Sequence, residues 1–142
     1  MQCGIACLSM ISNYHGQAYS LEYLSNLCFA TTEGVSLKAI KDAAGDIGLE
    51  SECVKTTIDD LCRAPLPCIL HWNQNHFVVL YAISKNRKHF YIADPAKGKI
   101  RYNYAEFQKH WISTSSNSAE KGIAMFFNPT EKFGAGKQHK SL

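Results

Sequence analysis

The 142-residue chain has no apolar run near the roughly 18 residues that a membrane-spanning helix needs. The longest, Phe77 to Ile83, is the length of a strand. The N-terminus has no basic stretch followed by an apolar one, so no secretory signal is expected. Charge of one sign is scarce as well. Lys and Arg number 15 against 12 Asp and Glu, and the net +3 is too small and too scattered to point to nucleic acid. Repeats and low-complexity blocks are missing. None of the six cysteines forms a C-x-x-C pair, which removes a zinc ribbon and a thioredoxin-like motif. The six histidines do not cluster with the cysteines, so neither a metal nor a cofactor is expected.

What remains is globular composition, with 46% hydrophobic and 19% charged residues, enough for one domain and unlike a disordered chain. A core of this size needs no disulfide staples. The expectation for the cysteines is one chemical residue and several small core hydrophobes.

The first half reads as helices. Ile5, Leu8 and Ile11 recur on one face of residues 4–14, and His15-Gly16 ends the segment. Ser20 caps a second helix from Leu21 to about Phe29, and Ser36 caps a third that Gly48 stops. The second half reads as strands at 50–55, 67–72, 76–83, 88–94, 99–102 and 123–127, with short helices at 58–62 and 104–111. Helices followed by strands predict an α+β fold, with an antiparallel sheet packed on an N-terminal helical part. A domain over 1–128 is expected. Residues 129–142 lose all pattern and read as a tail or linker leading to something further.

The polar connection Ser84-Lys85-Asn86-Arg87 joins two strands at hairpin length. A hairpin centred on Lys85 sets His76 across from Asp94. A carboxylate beside a histidine accepts the Nδ1 proton and orients the ring. The same juxtaposition also fits a surface pair without a role. Cys3 stands where the first helix begins, and the positive end of a helix favours a thiolate. Gly4 permits a substrate backbone to come close, and the Cys3 N–H is placed to contribute to an oxyanion hole. Cys7, one turn later among apolar residues, reads as core. His71 is the rival to His76.

Three blocks carry a resemblance. Gln2-Cys3-Gly4-Ile5-Ala6-Cys7-Leu8, Pro67-Cys68-Ile69-Leu70-His71-Trp72 with Asn75-His76-Phe77-Val78, and Ala93-Asp94-Pro95-Ala96-Lys97-Gly98 together resemble the double-glycine leader peptidases. These are the bacteriocin-processing domains of peptidase-containing ABC transporters. The resemblance implies a papain-like cysteine protease fold with Cys3 as nucleophile, His76 as general base and then acid, and Asp94 as its orienter. It implies cleavage of a leader peptide after Gly-Gly, with Gly4, Trp72 and Asn75 lining the cleft. The implied partners are the leader of a precursor peptide and the membrane and nucleotide-binding domains of the transporter. The implied location is cytoplasmic, at the inner face of the bacterial plasma membrane. The alternatives are a non-catalytic leader-binding domain of the same fold and another thiol enzyme, a cell-wall amidase or acyltransferase. The family's oxyanion-hole glutamine, about six residues before the nucleophile, has no counterpart here, because only Met1 and Gln2 precede Cys3. Loss of such a donor lowers the expected rate by about 100- to 1000-fold.

Overall fold

The computed structural model of the chain describes residues 3–27, 36–73, 75–116 and 119–134. It divides into two compact units, one of Met1–Glu52 with Phe127–Leu142 and one of Cys53–Phe126. Among the described residues, no helix is long and apolar enough to cross a membrane.

The first unit holds α1 (Cys3–Tyr14), α2 (Leu21–Leu27) and α3 (Leu37–Asp46). Ile5, Cys7, Leu8 and Ile11 form the buried stripe of α1. Gly16, at φ +96°, takes the left-handed conformation that ends it. The Ser20 hydroxyl accepts from the Tyr23 N–H at 3.0 Å, and the Ser36 hydroxyl accepts from the Ala39 N–H at 3.1 Å. Both caps satisfy donors that a first helical turn leaves unpaired. Cys28 and Phe29, the expected end of α2, lie outside the described residues.

The expected loose tail does not begin at residue 129. The last strand, β7 (Ala119–Pro129), runs through that position, and a turn follows it to Gly134. Thr130 explains the order. Its N–H and its hydroxyl both donate to the Gly48 carbonyl, at 2.9 and 2.7 Å. The Phe133 ring then meets His15 edge-on and lies against Tyr19, each at 6.4 Å between centroids. Sequence pattern misses this segment because one hydroxyl and one ring hold it, not periodic burial. Residues 135–142 lie outside the described residues.

The strands β1 (Leu49–Thr56), β2 (Cys68–Trp72), β3 (His76–Ile83), β4 (His89–Asp94) and β5 (Gly98–Asn103) run in the sheet order β1-β7-β2-β3-β4-β5. β6 (Thr114–Ser116) pairs with β7 off that path. The pairs β2–β3, β2–β7, β3–β4 and β4–β5 are antiparallel. The short helix α4 (Ile58–Leu61) is capped by the Thr57 hydroxyl. Helix α5 (Tyr104–Trp111) opens on a reciprocal capping box between Asn103 and Glu106.

The core of the second unit lies between α5 and one face of its sheet. Leu70, Val78, Leu80, Phe90 and Ile92 meet Phe107 and Trp111 there. Phe90 and Phe107 stack at 4.2 Å. β6 and the first four residues of β7 were not expected. Thr114-Ser115-Ser116 carries no apolar alternation, and Gly122 interrupts the pattern of β7. That glycine has a packing reason, because a Cβ there would meet the Trp111 ring at 2.5 Å.

Candidate active site

The hairpin β3–β4 carries two of the expected residues. Val79 faces Ala93 and Leu80 faces Ile92, so pairing centres on Asn86 and not on Lys85. The register then shifts at Tyr81, so that Ala82 faces Tyr91. Extended to the open end, the pairing sets Asp94 across from Val78, two residues from His76. An offset of two keeps both side chains on one face of a pleated sheet, whereas an offset of one would separate them. His76 continues the core-facing row of Val78 and Leu80, and Asp94 continues that of Phe90 and Ile92.

The two side chains meet at the end of those rows. His76 Nε2 lies 2.7 Å from Asp94 Oδ1. This corrects the expected contact through Nδ1. A deprotonated carboxylate only accepts, so Nε2 carries the proton and Nδ1 is the basic nitrogen of the neutral ring. Asp94 is 3% exposed. Burial pushes its carboxyl up, but the hydrogen bond from His76, that from the Ala96 N–H, and the charges of His76 and Lys97 outweigh it. The net effect holds the carboxyl below its ordinary value.

The turn that holds Asp94 follows from its sequence. Pro95 has no N–H, and its fixed φ suits the second position of a β-turn. The Lys97 N–H closes that turn on the Asp94 carbonyl at 3.1 Å. The Ala96 N–H donates to Asp94 Oδ1 at 2.8 Å. One carboxylate oxygen therefore takes two donors. The Ala96 contact escaped sequence reading, although an Asp two residues before a free N–H is the signal of an Asx turn.

Cys3 is the first residue of α1 and is half-buried. It belongs to the first compact unit, whereas His76 and Asp94 belong to the second. Gly4 is buried in α1. Asn75 is exposed and precedes His76 directly; its N–H donates to the Trp72 carbonyl at 3.2 Å. Trp72 departs from expectation. It is 1% exposed and packs against Tyr102, Phe107 and His110, which makes it core and not cleft lining. An aromatic ring with a neighbouring His and Asn looks alike in sequence whether it faces a cleft or a helix.

Cys7 and Cys68 are buried, as expected of core cysteines, and burial pushes the Cys68 thiol far up. Burial also raises the Cys62 thiol. Cys53 differs from expectation: it is exposed on β1. His71 lies beside the Phe77 ring at 5.2 Å. Among the described residues, no group of three or more His, Cys, Asp or Glu gathers in metal-binding proximity.

A helix opening on Cys-Gly, followed by an antiparallel sheet that presents a histidine against a buried aspartate, defines the papain-like class of thiol enzymes. Comparison with known proteins narrows the class. The Peptidase C39 profile matches residues 1–119, and the chain belongs to that family of cysteine peptidases. It is 38% identical over 132 residues to the colicin V secretion/processing ATP-binding protein of Escherichia coli, covering 93% of this chain and 17% of that protein. It is 33% identical over 137 residues to the lactococcin-G-processing and transport ATP-binding protein of Lactococcus lactis subsp. lactis, covering 92% of this chain and 18% of that protein. The chain thus spans less than a fifth of these relatives. A double glycine motif protease from an AMS/PCAT transporter, solved with its leader peptide, superimposes with a TM-score of 0.78. It is 33% identical, over 90% of this chain and 84% of that one.

Proposed function

We propose that this chain is the leader-peptidase part of a peptide-exporting ABC transporter, and that it cuts a precursor after a Gly-Gly pair. Cys3, His76 and Asp94 are the catalytic residues of this reading. The observation that carries it is the 2.7 Å contact from His76 Nε2 to a buried Asp94, in a chain of the C39 family. With Nε2 committed to Asp94, Nδ1 takes the Cys3 thiol proton. The thiolate attacks the carbonyl carbon of the second glycine, and the bond to the next residue's nitrogen breaks. Nδ1–H returns the proton to that leaving amine. Water, deprotonated by the same nitrogen, then attacks the thioester and releases the leader with a free carboxylate. Asp94 stays ionised and stabilises the imidazolium in both halves.

The N–H groups of the first turn of α1, which a helix leaves without partners of its own, stand as donors for the oxyanion, that of Cys3 first. Steric exclusion accounts for glycine at both positions before the bond, since any Cβ there meets a narrow cleft. The precursor's leader is the partner of this domain, and the rest of the transporter sets its place at the inner face of the bacterial membrane.

The test is cleavage of a synthetic leader ending in Gly-Gly and joined to a short cargo, followed by mass spectrometry. The chain cuts after the second glycine. Cys3→Ala abolishes cleavage, and His76→Ala lowers the rate by about 10²- to 10⁴-fold. Replacing either glycine of the peptide with alanine blocks the cut. Cleavage that persists in Cys3→Ala overturns the assignment. A chain that cuts nothing, even when extended upstream with a glutamine six residues before Cys3, while Cys3→Ala binds the peptide, is a leader-binding domain.

A further inference from the structure

We infer that His110 and Asn73 are positioning residues for His76, acting through the β2–β3 turn. The inference rests on His76 being the general base proposed above. Three observations carry it.

Asn73 follows Trp72 and is held at φ +51°, a conformation in which asparagine is among the few tolerated residues. Two hydrogen bonds fix it to one residue of α5. Its N–H donates to the His110 carbonyl at 2.9 Å. His110 Nδ1 lies 2.8 Å from Asn73 Oδ1, and since that oxygen only accepts, Nδ1 is the donor. The His110 carbonyl belongs to the last turn of α5, where carbonyls have no partner within the helix. The turn therefore completes the helix end, and the helix end completes the turn.

The His110 ring also lies flat on Trp72, at 5.1 Å and 17° between planes. Trp72 is the cross-strand partner of His76 in the β2–β3 register. Paired residues at such positions have Cβ atoms about 4.5–5.5 Å apart. One step thus separates His110 from Trp72, and one more separates Trp72 from His76.

Packing alone does not require the hydrogen bonds. Trp72 already meets Tyr102 at 5.4 Å and Phe107 at 5.5 Å. What the Asn73–His110 pair adds is the conformation of the turn from which β3 starts, and His76 is the first residue of β3. A turn that slips tilts the imidazole away from Asp94 Oδ1. Misplacement of a reacting group by about 1 Å costs up to about 100-fold in rate.

The experiment removes the side-chain hydrogen bond from each side while keeping the packing. His110→Phe retains a ring on Trp72 and loses the donor. Asn73→Gly accepts the positive φ and loses the acceptor. Asn73→Asp retains the acceptor and is the rescue. Lys109→Ala, exposed on the same helix, is the control. Two readouts are taken: steady-state cleavage of the Gly-Gly peptide, and the NMR resonance of the His76 Nε2–H, which reports its bond to Asp94 without needing turnover. His110→Phe and Asn73→Gly each lower kcat about tenfold with KM within about twofold. The double variant is no worse than either single one, as expected for one shared interaction. Asn73→Asp restores kcat, and the resonance shifts or broadens in the two impaired variants alone. Unchanged kcat and resonance in both variants overturn the inference, and so do losses that add in the double variant. If the parent chain cuts no peptide, the proposed function fails by itself. The resonance then decides the positioning role, which stands if it moves in both variants and falls if it does not.

Discussion

Asp94 concentrates most of what can be said at the scale of single residues. Its Oδ1 receives the His76 ring and the Ala96 N–H, and its burial would raise the carboxyl's pKa were those donors missing. The pair was legible in sequence because hairpin arithmetic brings His76 and Asp94 together and both stand in blocks that carry the family resemblance. The choice of ring nitrogen was not legible, since it depends on a rotamer. The cysteines divide by surroundings in a way that composition only partly foresaw. Cys7 and Cys68 are sealed in, Cys53 is open to solvent, and Cys3 begins a helix. Reactivity follows thiolate character and access together. In a chain carrying Cys53→Ser, which removes the solvent-exposed thiol of β1, iodoacetamide labels Cys3 at least about tenfold faster than Cys7 or Cys68 near neutral pH. Site-resolved mass spectrometry over a time course checks this. Equal labelling of Cys3 and Cys7 would remove the nucleophile assignment.

At the scale of elements, the helices and strands with strong periodicity were found, two of them with their caps, because Ser20 and Ser36 announce themselves one residue before an apolar repeat; the Asn103 cap of α5 came only with the structure. The elements that escaped are those without apolar periodicity: β6, the start of β7, and the turn after Pro129. Two glycines show the difference between a conformational and a packing requirement. Gly48 and Gly98 share φ +91°. A Cβ at Gly98 meets nothing within 4 Å, so Gly98→Ala costs only the left-handed penalty, about 1–2 kcal/mol. A Cβ at Gly48 would stand 2.4–2.6 Å from the backbone of Lys132 and Phe133. To relieve it, the turn must move away from the carbonyl that receives both Thr130 donors. Overpacking of this kind adds about 1–3 kcal/mol. Urea unfolding of the two variants therefore gives a distinctly lower midpoint for Gly48→Ala. Equal midpoints would mean that the turn yields freely and contributes little.

For the whole molecule, the sequence blocks that carry the proposed catalytic residues run from Cys3 to Gly98, and each is locally readable because its chemistry is local: a helix start, a hairpin end, an Asp-Pro turn. The Asn73–His110 pair is not, since 37 residues separate its members and neither carries a motif. The acid response of the molecule combines groups still farther apart in sequence. His15 sits beside Tyr14 and Phe133 rings, and burial lowers its pKa below 6.5. Its folded form binds protons less readily than its unfolded form, so its share of stability is complete above pH 6.5 and drains away as pH falls below that value. Asp94 acts in the same direction but lower. Its pKa is held below 3.8, so its share persists above that value and is lost as pH falls through the folded pKa. Thermal melting followed from pH 8 down to about pH 2 then falls in two separate windows. His15→Phe keeps a ring against Phe133 and flattens the window below pH 6.5 while leaving the acid one. Asp94→Asn flattens the acid window and leaves the other. If His15→Phe retains the full slope between pH 7 and 5, another group governs that range and the burial of His15 is not what the fold feels.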